Sequence, residues 1–107
     1  MSSKGLVFFN DGFAGTLKKQ DNEFVFTYDP AYRMDKTKPP LSLSFPKSTA
    51  VFRSPFLFPF FFGLLAEGAD KALQCAILKI DENDHFTRLL KTTGINTIGA
   101  VTVRESP

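Results

Sequence analysis

Residues able to do chemistry are few in this chain and stand far apart. The one histidine, His85, lies in Asp81-Glu82-Asn83-Asp84-His85-Phe86, and the one cysteine, Cys75, in Leu73-Gln74-Cys75-Ala76-Ile77. A general base or an activated thiol needs a complementary group within hydrogen-bond reach, and the chain offers no second histidine and no cysteine–histidine pairing. His85 therefore reads as a solvated residue of a helix's first turn, and Cys75 as a small core residue. The acids at Asp81, Glu82 and Asp84 lack the spaced oxygen ligands and central glycine of a calcium loop and read as a solvated connector. Gly12-Phe13-Ala14-Gly15 meets a bare GxxG spacing, but in a predicted hairpin rather than between helices, so turn geometry accounts for it. No G-x-x-x-x-G-K loop is present, nor a set of aspartates and asparagines to hold magnesium for phosphoryl transfer. The expectation is no enzymatic activity, no cofactor and no metal.

The elements around these residues have a clear order. Gly5 to Phe9, Ala14 to Lys18 and Glu23 to Tyr28 are rich in aromatic and β-branched residues, with turn signals at Asn10-Asp11-Gly12 and Asp21-Asn22. Three antiparallel strands in a meander follow. Asp29-Pro30 ends the third, and Arg33 to Pro40 should run as an extended loop. Leu41 to Phe45 alternates Leu-Ser-Leu-Ser-Phe, the pattern of a half-buried strand stopped by Pro46. Ser54-Pro55 resembles a helix start, although Pro59 would delay the regular helix; Phe60, Phe61, Leu64 and Leu65 then share a face, leaving Phe56, Phe58 and Phe62 over. A second helix capped by Asp70 should bury Leu73, Ala76, Ile77 and Ile80, and a third, starting at Asp84, should turn Phe86, Leu89 and Leu90 inward and end at Gly94. Thr97 to Val103 closes the chain as a strand in which Gly99 permits a bulge. The fold class is α+β: a small antiparallel sheet of about five strands with two to three short helices, a single domain over residues 1–107.

Composition narrows the function. With 13 basic against 11 acidic residues the net charge is only +2, and no basic run exceeds Lys18-Lys19, so direct nucleic-acid binding is not expected. A lone cysteine points to a reducing, cytoplasmic setting. The longest apolar run, Pro55 to Ala66, contains Pro59 and falls well short of the roughly 20 residues that cross a bilayer, so no membrane association is expected. Thirteen phenylalanines without a tryptophan are the oddity: any ring left outside lacks a polar handle and asks for a partner. Most should fill the core.

Four blocks then stand out together: Phe26-Thr27-Tyr28-Asp29-Pro30-Ala31-Tyr32; Pro40-Leu41-Ser42-Leu43-Ser44-Phe45-Pro46; Phe61-Phe62-Gly63-Leu64-Leu65-Ala66-Glu67-Gly68; and Leu89-Leu90 leading through Gly94 to Gly99-Ala100-Val101-Thr102-Val103. In this order they resemble the N-terminal subdomain of the HipA family of serine/threonine kinase toxins, from about Gly5 to Val103. In the long members the subdomain continues into a kinase core, whereas this sequence stops at Pro107, which makes it similar to the freestanding HipS-type subdomains of tripartite HipBST modules. For such a chain the resemblance implies an antitoxin that binds a HipT-like serine/threonine kinase, together with a HipB-like DNA-binding protein as a further partner. The surplus rings fit an interface left where the long proteins are continuous. The implied contact residues are Phe58 and Phe62 with the Glu67, Gly68, Ala69, Asp70 and Lys71 loop, which otherwise reads as an ordinary helix-to-helix turn. Family members often carry proline where Ala66 stands and a bulky aromatic where Ala69 stands; a plug into the kinase's nucleotide site is not available to Ala69. Two other readings remain open: a structural subunit that assembles the kinase and HipB-like protein without inhibiting, and a single-strand nucleic-acid binder using Phe24, Phe26 and Tyr28.

Overall fold

A computed structural model describes residues 3–10, 12–65, 68–96 and 101–106, with the side chains at 3, 68–70, 74 and 92–96 outside that description. The expected meander is present as β1 (Ser3–Phe9), β2 (Gly12–Gln20) and β3 (Glu23–Tyr28). With β4 (Val51–Ser54) and β5 (Val101–Glu105) they form one antiparallel sheet in the order β4-β3-β2-β1-β5. Asp21 and Asn22 carry φ of 50° and 63°, the paired left-handed conformation of a two-residue hairpin turn whose twist matches its strands. In the first hairpin it is Asn10, at φ 48°, that turns left-handed. Gly12 is already paired with Phe9, so it is a strand residue and not the turn glycine expected; Asp11 lies outside the described residues. Gly15 serves close packing: a Cβ there would stand 2.3 Å from the Thr27 carbonyl oxygen. The GxxG spacing thus follows from strand contact at Gly15, not from a turn at both glycines.

Strand alternation sends Val7, Leu17, Phe26, Tyr28 and Val103 to one face, where they join the buried core. Helix α4 (His85–Asn96) covers that face with Phe86, Leu89 and Leu90, as the helical spacing requires. Asp84 caps it: the Thr87 amide donates to Asp84 Oδ1 at 3.1 Å and the Thr87 hydroxyl to Oδ2 at 2.8 Å. The helix runs through Gly94 to Asn96, so Gly94 is not its C-cap. At the strand below, a Cβ on Gly5 would meet Leu90 Cδ2 at 2.6 Å. Of the closing strand, residues 97–100, Gly99 among them, lie outside the described residues.

Two expectations between Asp29 and Phe45 are corrected. Asp29-Pro30 does end β3, but it also caps a short helix, α1 (Pro30–Met34), with the Tyr32 amide donating to Asp29 Oδ2 at 3.3 Å. The extended loop therefore begins only after Arg33 and Met34. Leu41 to Phe45 is not a strand. Tyr28 explains why: its hydroxyl accepts from the Leu41 amide at 3.1 Å and donates to the Phe45 carbonyl, so two residues four apart both face inward while Leu43 is wholly exposed. The Phe45 amide donates to the Ser42 carbonyl at 3.1 Å, closing a turn where alternation suggested a ladder. Tyr32 holds the same loop through a bond from its hydroxyl to the Pro39 carbonyl at 2.6 Å.

Phe26, Phe45, Phe52 and Phe61 form the aromatic centre, with ring centroids 5.0 Å apart for Phe26–Phe45 and 5.7 Å for Phe26–Phe61. Fully burying one such ring contributes about 1.5–3 kcal/mol.

Candidate partner-binding surface

The segment 56–65 divides its rings between inside and outside. Ser54 ends β4 and its hydroxyl accepts from the Phe56 amide at 3.1 Å, so it caps a turn and not the helix. Helix α2 (Pro59–Phe62) starts at its proline, one residue after Phe58, and the Phe62 amide donates to the Phe58 carbonyl at 3.0 Å. Phe61 and Leu65 enter the core, with Phe60 and Leu64 packed against it. Phe58, expected among the surplus rings, is half-buried: its ring meets Phe45 edge-on at 5.2 Å and Phe61 at 6.2 Å. Phe56 is 76% exposed and Phe62 42%, so these two do remain outside.

Phe62 leans on the start of α4, its ring edge-on to His85 at 4.9 Å. His85 Nδ1 lies 3.2 Å from Arg88 Nη1, so the histidine is a half-buried packing residue of the first turn, not a solvated one. An open cleft of about 500 Å³ lies here between Phe24, Phe56, Phe62, Asp81, Asp84 and Lys19. Lys19 sits over the Phe24 ring at 5.7 Å.

The larger correction concerns the second long helix, α3 (Gly68–Leu78). It begins two residues before Asp70, which is therefore within the helix and not its cap. Gly68, Ala69, Asp70 and Lys71 form its first turn and do not make a loop; Glu67 lies outside the described residues, as do the side chains at 68–70. Lys71 is half-buried. Leu73, Ala76 and Ile77 do share a face, but that face points outward: Leu73 is 60% and Ile77 68% exposed, with Ala72 and Ala76 exposed beside them, while Ile80 lies past the helix end and is half-buried. The side turned inward carries Cys75, which is buried as expected. Helical spacing places residues on a common stripe without saying which side of the helix meets the protein. The helix ends with Lys79 in the left-handed conformation, φ 57°, and the Ile80 amide donating to the Cys75 carbonyl at 2.9 Å, a Schellman closure without the usual glycine.

Phe58 and Phe62 thus lie at α2 and Lys71 on the first turn of α3, while the exposed α3 stripe was missed. Phe24, Phe26 and Tyr28, the rings of the nucleic-acid reading, point into the molecule: Phe26 and Tyr28 are in the core and Phe24 packs against it. Among the described residues no group of His, Cys, Asp and Glu could hold a metal ion, and no helix is long and apolar enough to cross a membrane.

A five-stranded antiparallel sheet with α4 packed on its core face, and with apolar side chains left outside, defines the class as an α+β domain. Comparison with known proteins makes the assignment specific. The family described as the HipA N-terminal domain matches residues 5–104, and the chain belongs to it. A solved structure of the N-terminal domain of HipA toxin superposes with a TM-score of 0.74 at 34% identity, covering 98% of this chain and 93% of that one. An uncharacterised protein of Haemophilus influenzae (strain Rd) is 41% identical over 101 residues, 94% of this chain and 91% of the relative.

Proposed function

We propose that this protein acts as a HipS-type antitoxin: it binds a HipT-like serine/threonine kinase of the HipA family and suppresses its activity, without chemistry of its own. Membership of the HipA N-terminal domain family supports the toxin–antitoxin setting. The observation that carries the binding role is the outward stripe of Ala72, Leu73, Ala76 and Ile77 on α3, with Phe62 also exposed on α2. Unpartnered apolar area of this kind is what an interface core requires. Phe62 and the α3 stripe would supply buried anchors, and Lys71 a charge at their edge; Phe58 would support Phe62's element from within.

The test is coexpression of the kinase with the wild-type chain or with L73Q/I77Q. Wild type should abolish toxicity and the variant should restore it while still folding. Equal toxicity with and without the wild-type chain would reject the antitoxin role. A second reading has one observation behind it: Ala69 stands at the helix start with no bulky side chain to enter a nucleotide site. On that reading the protein is a scaffold that assembles the kinase with a HipB-like DNA-binding protein. Titrating the chain into a kinase phosphorylation assay separates the two, because a stable complex with undiminished activity favours the scaffold.

A further inference from the structure

The sheet has a second face, and its side chains are sorted in rows. Lys4 stands opposite Lys18, Lys18 opposite Val25, and Val25 opposite Arg53, so one row crossing four strands carries three cations. Two residues further along lies a row of Arg104, Leu6, Thr16, Thr27 and Val51. Beyond it come Thr102, Phe8 and Phe13. Leu6 and Phe8 are half-buried, and Phe13 is 40% and Val51 42% exposed, so this face meets solvent, with Val25 covered within the row of cations.

Its charge is one-sided. Like charges placed directly opposite one another weaken a sheet, and Lys4 and Lys18 are so placed. Among the described residues of this face Glu23 is the one carboxylate, and it is held by Arg53 at 2.8 Å. Lys4, Lys18, Arg53 and Arg104 thus stand on this face against a single carboxylate, on a chain whose net charge is only +2. A sheet face bearing rings and cations also suits single-stranded nucleic acid. Here, however, the Arg104 guanidinium covers the Phe8 ring at 4.7 Å and Phe13 meets Phe8 edge-on at 5.7 Å, so flat ring faces are not offered for stacking.

We propose that this face docks an acidic, amphipathic segment of a second protein partner, with carboxylates on the Lys4–Lys18–Arg53 row and aliphatic side chains over Leu6, Val51 and Phe13. The proposal is independent of the kinase surface on α2 and α3, and with it the chain has two docking sides. The chemistry required of the partner is a stripe of glutamates or aspartates beside a stripe of leucine-like residues.

The test uses a fluorescent helical peptide with adjoining glutamate and leucine stripes, its lysine-for-glutamate counterpart and single-stranded oligothymidine. Binding is read by anisotropy and by amide shift changes in the full chain. The acidic peptide should bind, shift amides of β1, β2 and β4, and weaken as salt rises. K18E, which places a carboxylate opposite Lys4 and so keeps the fold, should lower its affinity about tenfold or more. L73Q/I77Q should leave it unchanged. Absence of binding, equal binding of the lysine peptide, or weakening by L73Q/I77Q would overturn the proposal; tighter binding of oligothymidine would replace it with a nucleic-acid platform.

Discussion

Two apolar stretches of this chain meet opposite fates. The ring-rich segment Phe56 to Leu65 looks too apolar to hide, yet Phe61 and Leu65 are buried and Phe58, Phe60 and Leu64 pack against the core. The α3 segment looks like an ordinary amphipathic helix, yet its leucine and isoleucine stripe faces water. Hydrophobicity alone does not decide which is hidden. The ring segment is placed by two core rings that need aromatic partners, Phe26 and Phe45, whereas α3 is placed by the small buried contact at Cys75 and by its left-handed end at Lys79. The lesson is that burial follows from available complementary surface, not from the richness of a stretch in apolar residues.

The contrast can be tested by substitution, beginning with the buried side. F61A should destabilise the protein by about 3–5 kcal/mol, measured by urea unfolding, because it empties a fully buried ring site among four aromatic neighbours. A loss under about 1 kcal/mol would mean that the ring segment is not seated as described. Y28F should cost about 1–3 kcal/mol, since it strands the Leu41 amide and the Phe45 carbonyl in a buried setting. Burial also pushes the phenols of Tyr28 and Tyr32 above the ordinary value of 10.0. Folded tyrosines then stay neutral where unfolded ones ionise, so their contribution is whole below pH 10 and is lost as pH rises through the raised values. Thermal unfolding from neutral pH into that alkaline range should show a falling midpoint whose slope is shallower in Y28F.

Smaller effects belong to the outside. K18E should stabilise the isolated chain by about 0.2–1 kcal/mol by turning a like-charge cross-strand pair into an attractive one. L73Q/I77Q should change stability by no more than about 0.5 kcal/mol per site, because neither side chain is covered. If that pair unfolded the protein, α3 would have to be packed by its apolar stripe after all, and the contrast with the ring segment would disappear.

Much of the architecture was legible because period and punctuation agreed: the three meander strands, the start of α4 beside Asp84 and its inward face all follow from local pattern. The failures are tertiary. Leu41 to Phe45 alternates like a strand, but a tyrosine thirteen residues earlier claims its first amide and overrides the pattern. Asp29-Pro30 signals a strand end and a helix start equally well. For the candidate surface, Phe62 was legible as a leftover ring, whereas the outward turn of α3 was not, since a stripe carries no information about its direction. The basic row was hidden for another reason: Lys4, Lys18 and Arg53 come together only through strand register.

Gly5 has a mechanical consequence. With Leu90 Cδ2 and Val103 Cγ1 occupying the space where a side chain would begin, α4 is keyed to β1 at that point and cannot slide along the sheet by a residue without driving a methyl group into the main chain. A push on its first residue, where Phe62 leans on His85, would therefore reach the sheet about a turn and a half further on, at Leu90.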